Sequence, residues 1–112
     1  MRRGEVRWCN LRQPDKRRPV VILTRTVALN FLTRITIAPI TTTIRDIPTE
    51  VLLTPDDDGV PQACVVNLDN IQTIEKQDLG VLITTLSVMH MNEVEQALCF
   101  ALGMDRLLRL DR

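Results

Sequence analysis

Hydrophobic and polar residues alternate near the start of the chain in a pattern typical of a β-strand. In residues 4–11 (GEVRWCNL), Val6 and Trp8 share one face, while Glu5 and Arg7 share the other. This division arises because successive side chains of a strand point to opposite sides. The segment therefore predicts a half-exposed strand with Val6 and Trp8 facing the core.

The next apolar segment, residues 18–25 (RPVVILTR), is too continuously apolar to alternate and predicts a strand buried on both faces. Further β-rich segments are ITIAPITTTI (35–44), PTEVLLT (48–54), ACVVNLDNIQTI (63–74) and VLITTL (81–86). Turn signals separate the segments at Gln13-Pro14-Asp15, Asp46-Ile47-Pro48, residues 55–61 and Gly80. Residues 26–34 predict either irregular chain or a short helical turn. So many short strands predict a mainly β fold, with a small, strongly curved sheet or barrel.

One helix is predicted near the C-terminal end, with Ser87 as its N-cap and Gly103 at its end. Its apolar stripe consists of Met91, Val94, Leu98, Ala101 and Leu102. Phe100 lies on the opposite side, near Met89 and Gln96, and forms either a partner surface or a contact with a loop. The tail, residues 104–112, either extends the helix or frays. We expect one domain over residues 1–112, with its core in residues 4–103.

Composition narrows the class of protein. No apolar run reaches the ~18 residues that a membrane-spanning helix needs, and the N-terminal MRRGEVRW shows no secretory signal. Cys9, Cys64 and Cys99 are odd in number and lack CxxC spacing, which is typical of reduced thiols. We therefore expect a cytoplasmic protein with no membrane association.

The net charge is zero, but the charges are unevenly distributed. Residues 1–34 contain nine of the fourteen Lys and Arg residues and only Glu5 and Asp15 among the acids, so this third carries +7 and the remainder −7. The basic block either binds a polyanion such as nucleic acid or pairs with acidic residues across the fold.

Few residues offer catalytic or metal-binding chemistry. The only serine, Ser87, is expected to cap the helix, which excludes a Ser-His-Asp triad, and the only histidine, His90, is interpreted as a surface or helix-end residue. The triplet Asp56-Asp57-Asp58 predicts a solvated loop rather than a metal site, and we expect neither a metal nor another cofactor. Functional candidates are therefore arginines, threonines, carboxylates and amides near strand ends. Three consecutive threonines, residues 41–43, cannot all face one way on a strand, so at least one is expected to be displayed.

Four blocks of the sequence resemble the MazF/PemK family of ribonuclease toxins from bacterial toxin–antitoxin pairs. These blocks are RRPVVIL (17–23), APITTTIRDIPTEV (38–51), VVNLDNIQTIEKQDLG (65–80) and MNEVEQALCFALG (91–103). The resemblance extends from about Gly4 to Gly103, and implies an SH3-like β-barrel with a packed C-terminal helix, acting as a homodimer. It also implies an endoribonuclease that cuts single-stranded RNA at specific sequences without a metal. A MazE-like antitoxin with a disordered tail is expected to cover the RNA groove.

The resemblance assigns catalysis to Arg18, the arginine of the RPV motif, and to Thr41, the first threonine after the API-type strand. Strand scission by the RNA's own 2′-OH requires no enzyme nucleophile, only a positioned phosphate and stabilisation of its developing charge. A planar guanidinium grips two phosphate oxygens, and a β-branched threonine holds a neutral donor in a fixed place.

Other RNA-binding positions are expected around this pair. They are Arg17, Arg25, Thr42, Ile47, Pro48, Thr49, Cys64, Asn67, Asp69 and Asn70. The chain departs from the family at Cys64 and Asn70, where relatives often have a Ser and a Gln, and its loop NLRQPDKRRP lacks a SEQGG-type stretch. We therefore expect base preference to differ from that of relatives.

Two alternative functions are compatible with the same fold. A CcdB-like toxin binds gyrase without catalysis through C-terminal residues that include a near-terminal Trp, whereas the only Trp here is Trp8 and the chain ends in LLRLDR. An inactive homologue would bind operator DNA with an antitoxin and would not need Arg18 and Thr41. An active toxin is expected to share that operator complex with its antitoxin.

Overall fold

The computed structural model describes residues 1–11 and 17–109, in which seven antiparallel strands form one curled sheet. The strands are β1 (Glu5–Asn10), β2 (Arg17–Ile22), β3 (Arg34–Thr41), β4 (Glu50–Leu53), β5 (Cys64–Asn67), β6 (Gln72–Glu75) and β7 (Leu79–Thr85). Their order is β4-β5-β3-β2-β1-β7, and β6 also pairs with β3. With a C-terminal helix packed on this half-barrel, the predicted mainly β fold is confirmed.

A bend separates β5 from β6. We predicted one strand over residues 63–74, but a 3₁₀ turn at Leu68–Asn70 divides it. The Asn67 side chain accepts a hydrogen bond from the Asp69 backbone N–H (3.0 Å), and such local bonds compete with a strand ladder. As a result, β6 pairs with the first half of β3, while β5 pairs with its last two residues.

The strand predicted over residues 35–44 also ends early, at Thr41. The Thr41 hydroxyl oxygen accepts a hydrogen bond from the Thr43 backbone N–H (3.2 Å), which turns the chain out of the sheet. Residues 42–49 consequently form a loop at the edge of the half-barrel instead of continuing β3.

Hydrophobic cores lie on both faces of β2, which confirms the predicted doubly buried strand. Val21 and Leu23 belong to the core between the sheet and the C-terminal helix, whereas Val20 and Ile22 belong to a second core on the other face. The prediction that β1 exposes the face of Glu5 and Arg7 is wrong for Glu5, which is buried. Its carboxylate accepts a hydrogen bond from Arg7 Nε (2.9 Å).

The segment predicted as a turn, residues 55–61, contains a short helix, α1 (Pro55–Asp58). Thr54 caps it, and Gly59 ends it at φ +69°, a backbone conformation that favours glycine. The expectation of a fully solvated acidic loop is wrong for Asp58. Its carboxylate is buried, accepts the Thr54 backbone N–H (2.8 Å), and pairs with His90 Nδ1.

The predicted C-terminal helix is confirmed as α2 (Val88–Ala101), capped by Ser87, whose hydroxyl accepts the His90 backbone N–H (3.1 Å). Met91, Val94 and Ala97 are its buried residues. Leu102 lies beyond the helix and is 54% exposed, so its assignment to the apolar stripe is wrong.

The remaining segments settle several open expectations. Residues 26–34 contain a 3₁₀ turn at Thr26–Asn30, and the tail forms another at Asp105–Arg109 instead of extending α2. The turn predicted at residues 13–15 lies outside the described residues. No helix in residues 1–11 and 17–109 has the length and apolarity needed to span a membrane.

Part of the basic N-terminal block pairs across the fold. Arg3 binds Glu95 of α2 (2.9 Å), and Arg34 binds Glu75 of β6 (3.1 Å). These contacts support pairing across the fold for two of the nine cations.

Candidate functional site

A pocket of about 160 Å³ opens where β3 ends and β5 bends into β6. We call it the polar pocket; it is lined by Leu11, Arg18, Pro39, Thr41, Thr43, Arg45, Asn67, Asn70 and Gln72. Two guanidinium groups, two hydroxyls and three amides therefore surround one opening. Its volume is well below the ~300 Å³ of a typical enclosed ligand site, so it fits one small group of a longer ligand at a time.

The pairing register of β2 and β3 explains why the two predicted catalytic residues meet. Val20 pairs with Pro39, so two residues along each antiparallel strand bring Arg18 level with Thr41. The same side-chain alternation places both on one face of the sheet. Arg18 and Thr41 therefore line the same pocket although 23 positions separate them in the sequence.

The Thr41 hydroxyl is held in one orientation. Its oxygen accepts the Thr43 backbone N–H (3.2 Å), and its β-branched side chain has few rotamers. Since the oxygen accepts this bond, the hydroxyl hydrogen can be donated to a ligand in the pocket. The arrangement provides a neutral donor beside the Arg18 cation.

A second depression, of about 310 Å³, lies on the other side of Thr41. We call it the apolar cleft; it is lined by Val6, Trp8, Pro19, Ile40, Thr41, Thr42, Val60, Pro61, Gln62, Cys64 and Ile83. Two residues predicted to bind RNA, Thr42 and Cys64, lie here and not in the polar pocket. Cys64 is also buried, so the structure does not bring its thiol to the predicted site.

The adjacent residues Arg17 and Arg18 also lie in different surroundings. Arg18 lines the polar pocket, whereas the guanidinium of Arg17 lies over the Trp8 ring, 4.5 Å from its centroid, in a cation–π contact. Arg25 follows the opposite end of β2 and precedes the 3₁₀ turn at Thr26–Asn30. Neither Arg17 nor Arg25 is part of the pocket lining.

The predicted recognition residues of the β5–β6 bend divide into two groups. Asn67 and Asn70 line the polar pocket, Asn67 being buried and Asn70 exposed. Thr49 and Asp69 instead pair with each other, because the Thr49 hydroxyl donates to Asp69 Oδ2 (2.6 Å). This bond fastens the loop before β4 to the bend, so both residues support the pocket from outside its lining.

The loop residues Ile47 and Pro48 are exposed, but neither lines the polar pocket. Pro48 contributes instead to a groove between β4 and α2, where Phe100 is half-exposed. Phe100 thus faces a groove formed partly by this loop. Both interpretations of its apolar surface, a partner surface and a contact with a loop, stay predictions.

Two polar lining residues, Thr43 and Gln72, were not predicted, whereas Arg45 belongs to the loop of residues 44–49, which we expected to read bases. Thr43 is two positions after Thr41, and this spacing was an available signal. Gln72 pairs with Ile37 of β3, and finding it required the break between β5 and β6. Arg45 belongs to a loop whose conformation no periodic pattern specifies.

The buried thiols are poor nucleophiles. Burial raises the pKa of Cys9 to about 11, with a further contribution from Asp78. Burial and then the nearby Asp58 carboxylate raise the pKa of Cys64. Protonated thiols of this kind are inert near neutral pH. Within the described part of the chain, no group of three or more His, Cys, Asp or Glu side chains is arranged to hold a metal ion.

Comparison with known proteins decides the family. The family model described as "PemK-like, MazF-like toxin of type II toxin-antitoxin system" matches residues 2–102. The chain belongs to this toxin family. The suspected resemblance is therefore confirmed, and the curled β-sheet with its C-terminal helix is the MazF-like fold.

Relatives of this MazF-like toxin agree along nearly the whole chain. The "Probable endoribonuclease MazF5" of Mycobacterium tuberculosis is 38% identical over 104 residues, which cover 93% of this chain and 94% of the relative. Among solved structures, "Mycobacterium tuberculosis toxin MazF-mt6" is 40% identical with a TM-score of 0.82, covering 90% of this chain and 98% of that one. An "Endoribonuclease in complex with its cognate antitoxin from Mycobacterial species" is 32% identical with a TM-score of 0.81, covering 93% and 96%.

These relatives confirm the predicted function as an endoribonuclease toxin of a toxin–antitoxin system. The non-enzymatic alternatives are not favoured. The only tryptophan, Trp8, lies in β1 and contacts Arg17, far in sequence from the C-terminal position that the gyrase-binding interpretation requires.

Proposed function

We propose that this toxin cuts single-stranded RNA in the polar pocket and that Arg18 and Thr41 are its catalytic pair. The chain forms a single domain in this proposal. The observation that carries the proposal is that the Arg18 cation and the hydrogen-bonded Thr41 hydroxyl line one small opening beside three amides. An open pocket of this size accommodates a phosphate or a base edge of a strand that passes over it. Single-stranded RNA offers both groups without unpairing a duplex.

The reaction needs no nucleophile from the protein. The 2′-oxygen of the nucleotide on the 5′ side attacks the adjacent phosphorus and loses its proton, while the bond between phosphorus and the 5′-oxygen of the next nucleotide breaks. That 5′-oxygen gains a proton. The products are a 2′,3′-cyclic phosphate, which water can open to a 3′-phosphate, and a 5′-OH end.

Arg18 and Thr41 act on the charge that develops at the phosphate. The Arg18 guanidinium is cationic at every relevant pH and forms paired hydrogen bonds with two phosphate oxygens. The Thr41 hydroxyl donates a further hydrogen bond from its fixed orientation. Such preorganised donors stabilise a transition state without reorganising during the reaction.

Base recognition is proposed for Asn67 and Asn70. Amide side chains carry both donors and acceptors, which suits the edges of unstacked bases. Ile47 and Pro48 contact the strand as it leaves the pocket, and Thr49 and Asp69 keep this loop close to the bend. No metal or other cofactor takes part.

An antitoxin and a second copy of the chain are the proposed protein partners. A MazE-like antitoxin covers the polar pocket with a tail of acidic and apolar residues, which orders on binding. Two copies of the toxin form a twofold dimer, and the toxin–antitoxin complex binds operator DNA. The toxin acts in the cytoplasm. Sedimentation at micromolar concentration tests the dimer, and a monomer that remains active on RNA would contradict it.

The cleavage chemistry is tested by incubating the purified toxin with long single-stranded transcripts and mapping the new ends. We expect cuts at a short recurring sequence, with cyclic or 3′-phosphate ends on one fragment and 5′-OH ends on the other. EDTA should leave the rate unchanged. Inactivation by EDTA, or products with 5′-phosphate ends, would show that the proposed chemistry is wrong.

A further inference from the structure

The first residue of β4, Glu50, is a buried anion whose contacts converge on one residue. Its side chain is only 2% exposed. Oε1 accepts the Arg45 backbone N–H (2.9 Å), and Oε2 lies 3.7 Å from Arg45 Nη1. Within the described residues, Oε2 is buried without a hydrogen-bond partner. Burying a carboxylate oxygen without a hydrogen bond is unfavourable, and the only cation that approaches this oxygen among the described residues is Arg45.

The loop between β3 and β4 turns sharply at Asp46, which has a φ of +55°. Left-handed backbone is uncommon for residues with a side chain, but Asp and Asn adopt it at single positions in turns. Since Glu50 holds the Arg45 backbone immediately before Asp46, the two features fix one turn of this loop. The turn determines where the Arg45 side chain projects.

The Arg45 side chain projects into the polar pocket. It is 57% exposed and lines the pocket with Arg18 and Thr41. Its contact with Glu50 is 3.7 Å, beyond hydrogen-bonding distance. The guanidinium therefore keeps its donors for a ligand while the buried carboxylate restricts its position. In preorganised sites, neighbouring residues hold the ligand-binding side chains in place. Glu50 stands in this relation to Arg45.

We propose that Arg45 is a second phosphate-binding cation of the site and that Glu50 is the positioning residue that holds it there. Arg45 grips a backbone phosphate adjacent to the one that Arg18 binds, because one strand crossing a small pocket presents consecutive phosphates to its rim. This assignment rests on the proposed function for the identity of the ligand. It extends the site to a loop residue that has no part in bond breaking.

The test compares Arg45→Ala with a matched control, Arg34→Ala. Arg34, the first residue of β3, is also an exposed arginine paired with a glutamate, at 3.1 Å, but it does not line the polar pocket. The probe is a short single-stranded RNA that spans the mapped cut, with a deoxyribose 5′ to the scissile phosphate so that binding is measured without turnover. We expect Arg45→Ala to weaken binding by about 10–100-fold, and Arg34→Ala to change it less than twofold.

Salt dependence identifies the group that Arg45 contacts. If it binds a phosphate, Arg45→Ala should lower the slope of log affinity against log salt by about 0.7, the value for one contact with a single strand. An unchanged slope with an altered cut sequence would overturn the phosphate assignment and indicate a base contact. Unchanged affinity and slope would overturn the proposal altogether.

Glu50→Gln tests the positioning role, because glutamine retains an acceptor for the Arg45 backbone N–H but loses the charge. We expect weaker RNA binding by about 3–10-fold in the wild-type background and no further loss in the Arg45→Ala background, as for residues that act through each other. An equal loss in both backgrounds would contradict the positioning role. Thermal unfolding of each variant separates a folding defect from a binding defect.

The outcome for Arg45 is independent of the catalytic proposal. Arg18→Ala and Thr41→Ala test bond breaking and should lower turnover, whereas Arg45→Ala should raise KM and leave kcat within about threefold. If the Arg45→Ala variant cleaves RNA as the wild type does, the proposed role of Arg45 is rejected, whereas the catalytic roles of Arg18 and Thr41 are not. Binding of the probe weakened by Arg45→Ala would support the proposal even if the mapped product ends disproved 2′-OH attack.

Discussion

The polar pocket and the apolar cleft share Thr41 but have opposite chemistry. The polar pocket gathers Arg18, Arg45 and three amides, whereas the described lining of the apolar cleft contains no charged side chain. A strand places consecutive side chains on opposite faces, so neighbouring residues of this toxin line different depressions.

The pairs Arg17–Arg18 and Thr42–Thr43 illustrate this division. Arg18 and Thr43 line the polar pocket, while Arg17 stacks on Trp8 and Thr42 lines the apolar cleft. Each pair therefore provides a catalytic or binding candidate together with its own control. If the polar pocket is the active site, substitutions of adjacent residues should have very different effects on activity.

The largest expected effect comes from Arg18→Ala compared with Arg17→Ala. Losing the Arg18 guanidinium removes the cation that stabilises the transition state, so kcat should fall by more than about 10³-fold, exceeding the loss of a single neutral donor. Arg17→Ala should lower kcat less than about fivefold. Single-turnover cleavage of an end-labelled RNA measures both rates, and circular dichroism checks that both variants are folded. Comparable losses of kcat in the two variants would contradict the proposed difference between the two faces.

Thr41→Val should have the next largest effect, because valine keeps the β-branched shape but removes the hydroxyl donor. We expect a loss on the order of 10²–10³ in rate, as for one preorganised donor. Thr42→Val should change the rate less than about threefold. Thr41→Ser restores the hydroxyl and should recover most of the activity. Failure of serine to rescue would mean that Thr41 acts by packing against the apolar cleft.

Asn70→Gln should alter specificity more than rate. The amide is retained but displaced by one methylene, so its hydrogen bonds with a base edge should change partners. Sequencing of cleavage products from a pool of transcripts should show a changed preferred sequence, with the total rate within about tenfold. An unchanged cleavage profile would remove Asn70 from the recognition surface.

The smallest effect on activity is expected from Cys9→Ala, because Cys9 is buried in the core. Its pKa is raised from 9.0 to about 11 by burial, so the folded state retains a proton that the unfolded state loses. This contribution to stability is present below pH 9 and is lost as the pH rises towards 11, by up to about 2–3 kcal/mol.

Urea unfolding at pH 8.5 and pH 11 measures this loss. The wild type should lose more unfolding free energy between these values than Cys9→Ala, while cleavage at neutral pH should be similar for the two proteins. Equal losses would show that other groups account for the alkaline sensitivity.

The sequence predicted the features that have a local signal. The continuous apolar run of β2, the capping residue Ser87 and the helical spacing of Met91 and Val94 in α2 were all interpreted correctly. The pairing of Arg18 with Thr41 was also predicted, through the family resemblance. The register of β2 and β3 gives it a physical basis.

Features that depend on local side-chain bonds or long-range ion pairs were not predicted. The bend at Leu68–Asn70 depends on the Asn67 side chain, and burial of Asp58 depends on His90, 32 positions away. Likewise, the loop that carries Arg45 is closed by a hydrogen bond from the Arg45 backbone to the Glu50 side chain. Such contacts leave no periodic signal in the sequence, so they appear only when the fold brings the partners together.

In the proposed reaction, the polar pocket positions an RNA phosphate for attack by the neighbouring 2′-OH. The most direct measurement uses two short RNAs that span the mapped cut and differ only in a deoxyribose 5′ to the scissile phosphate. We predict that the deoxy-substituted RNA binds with nearly the same affinity as the all-ribose RNA but is not cleaved there. Cleavage of the substituted RNA at that phosphate would contradict the account.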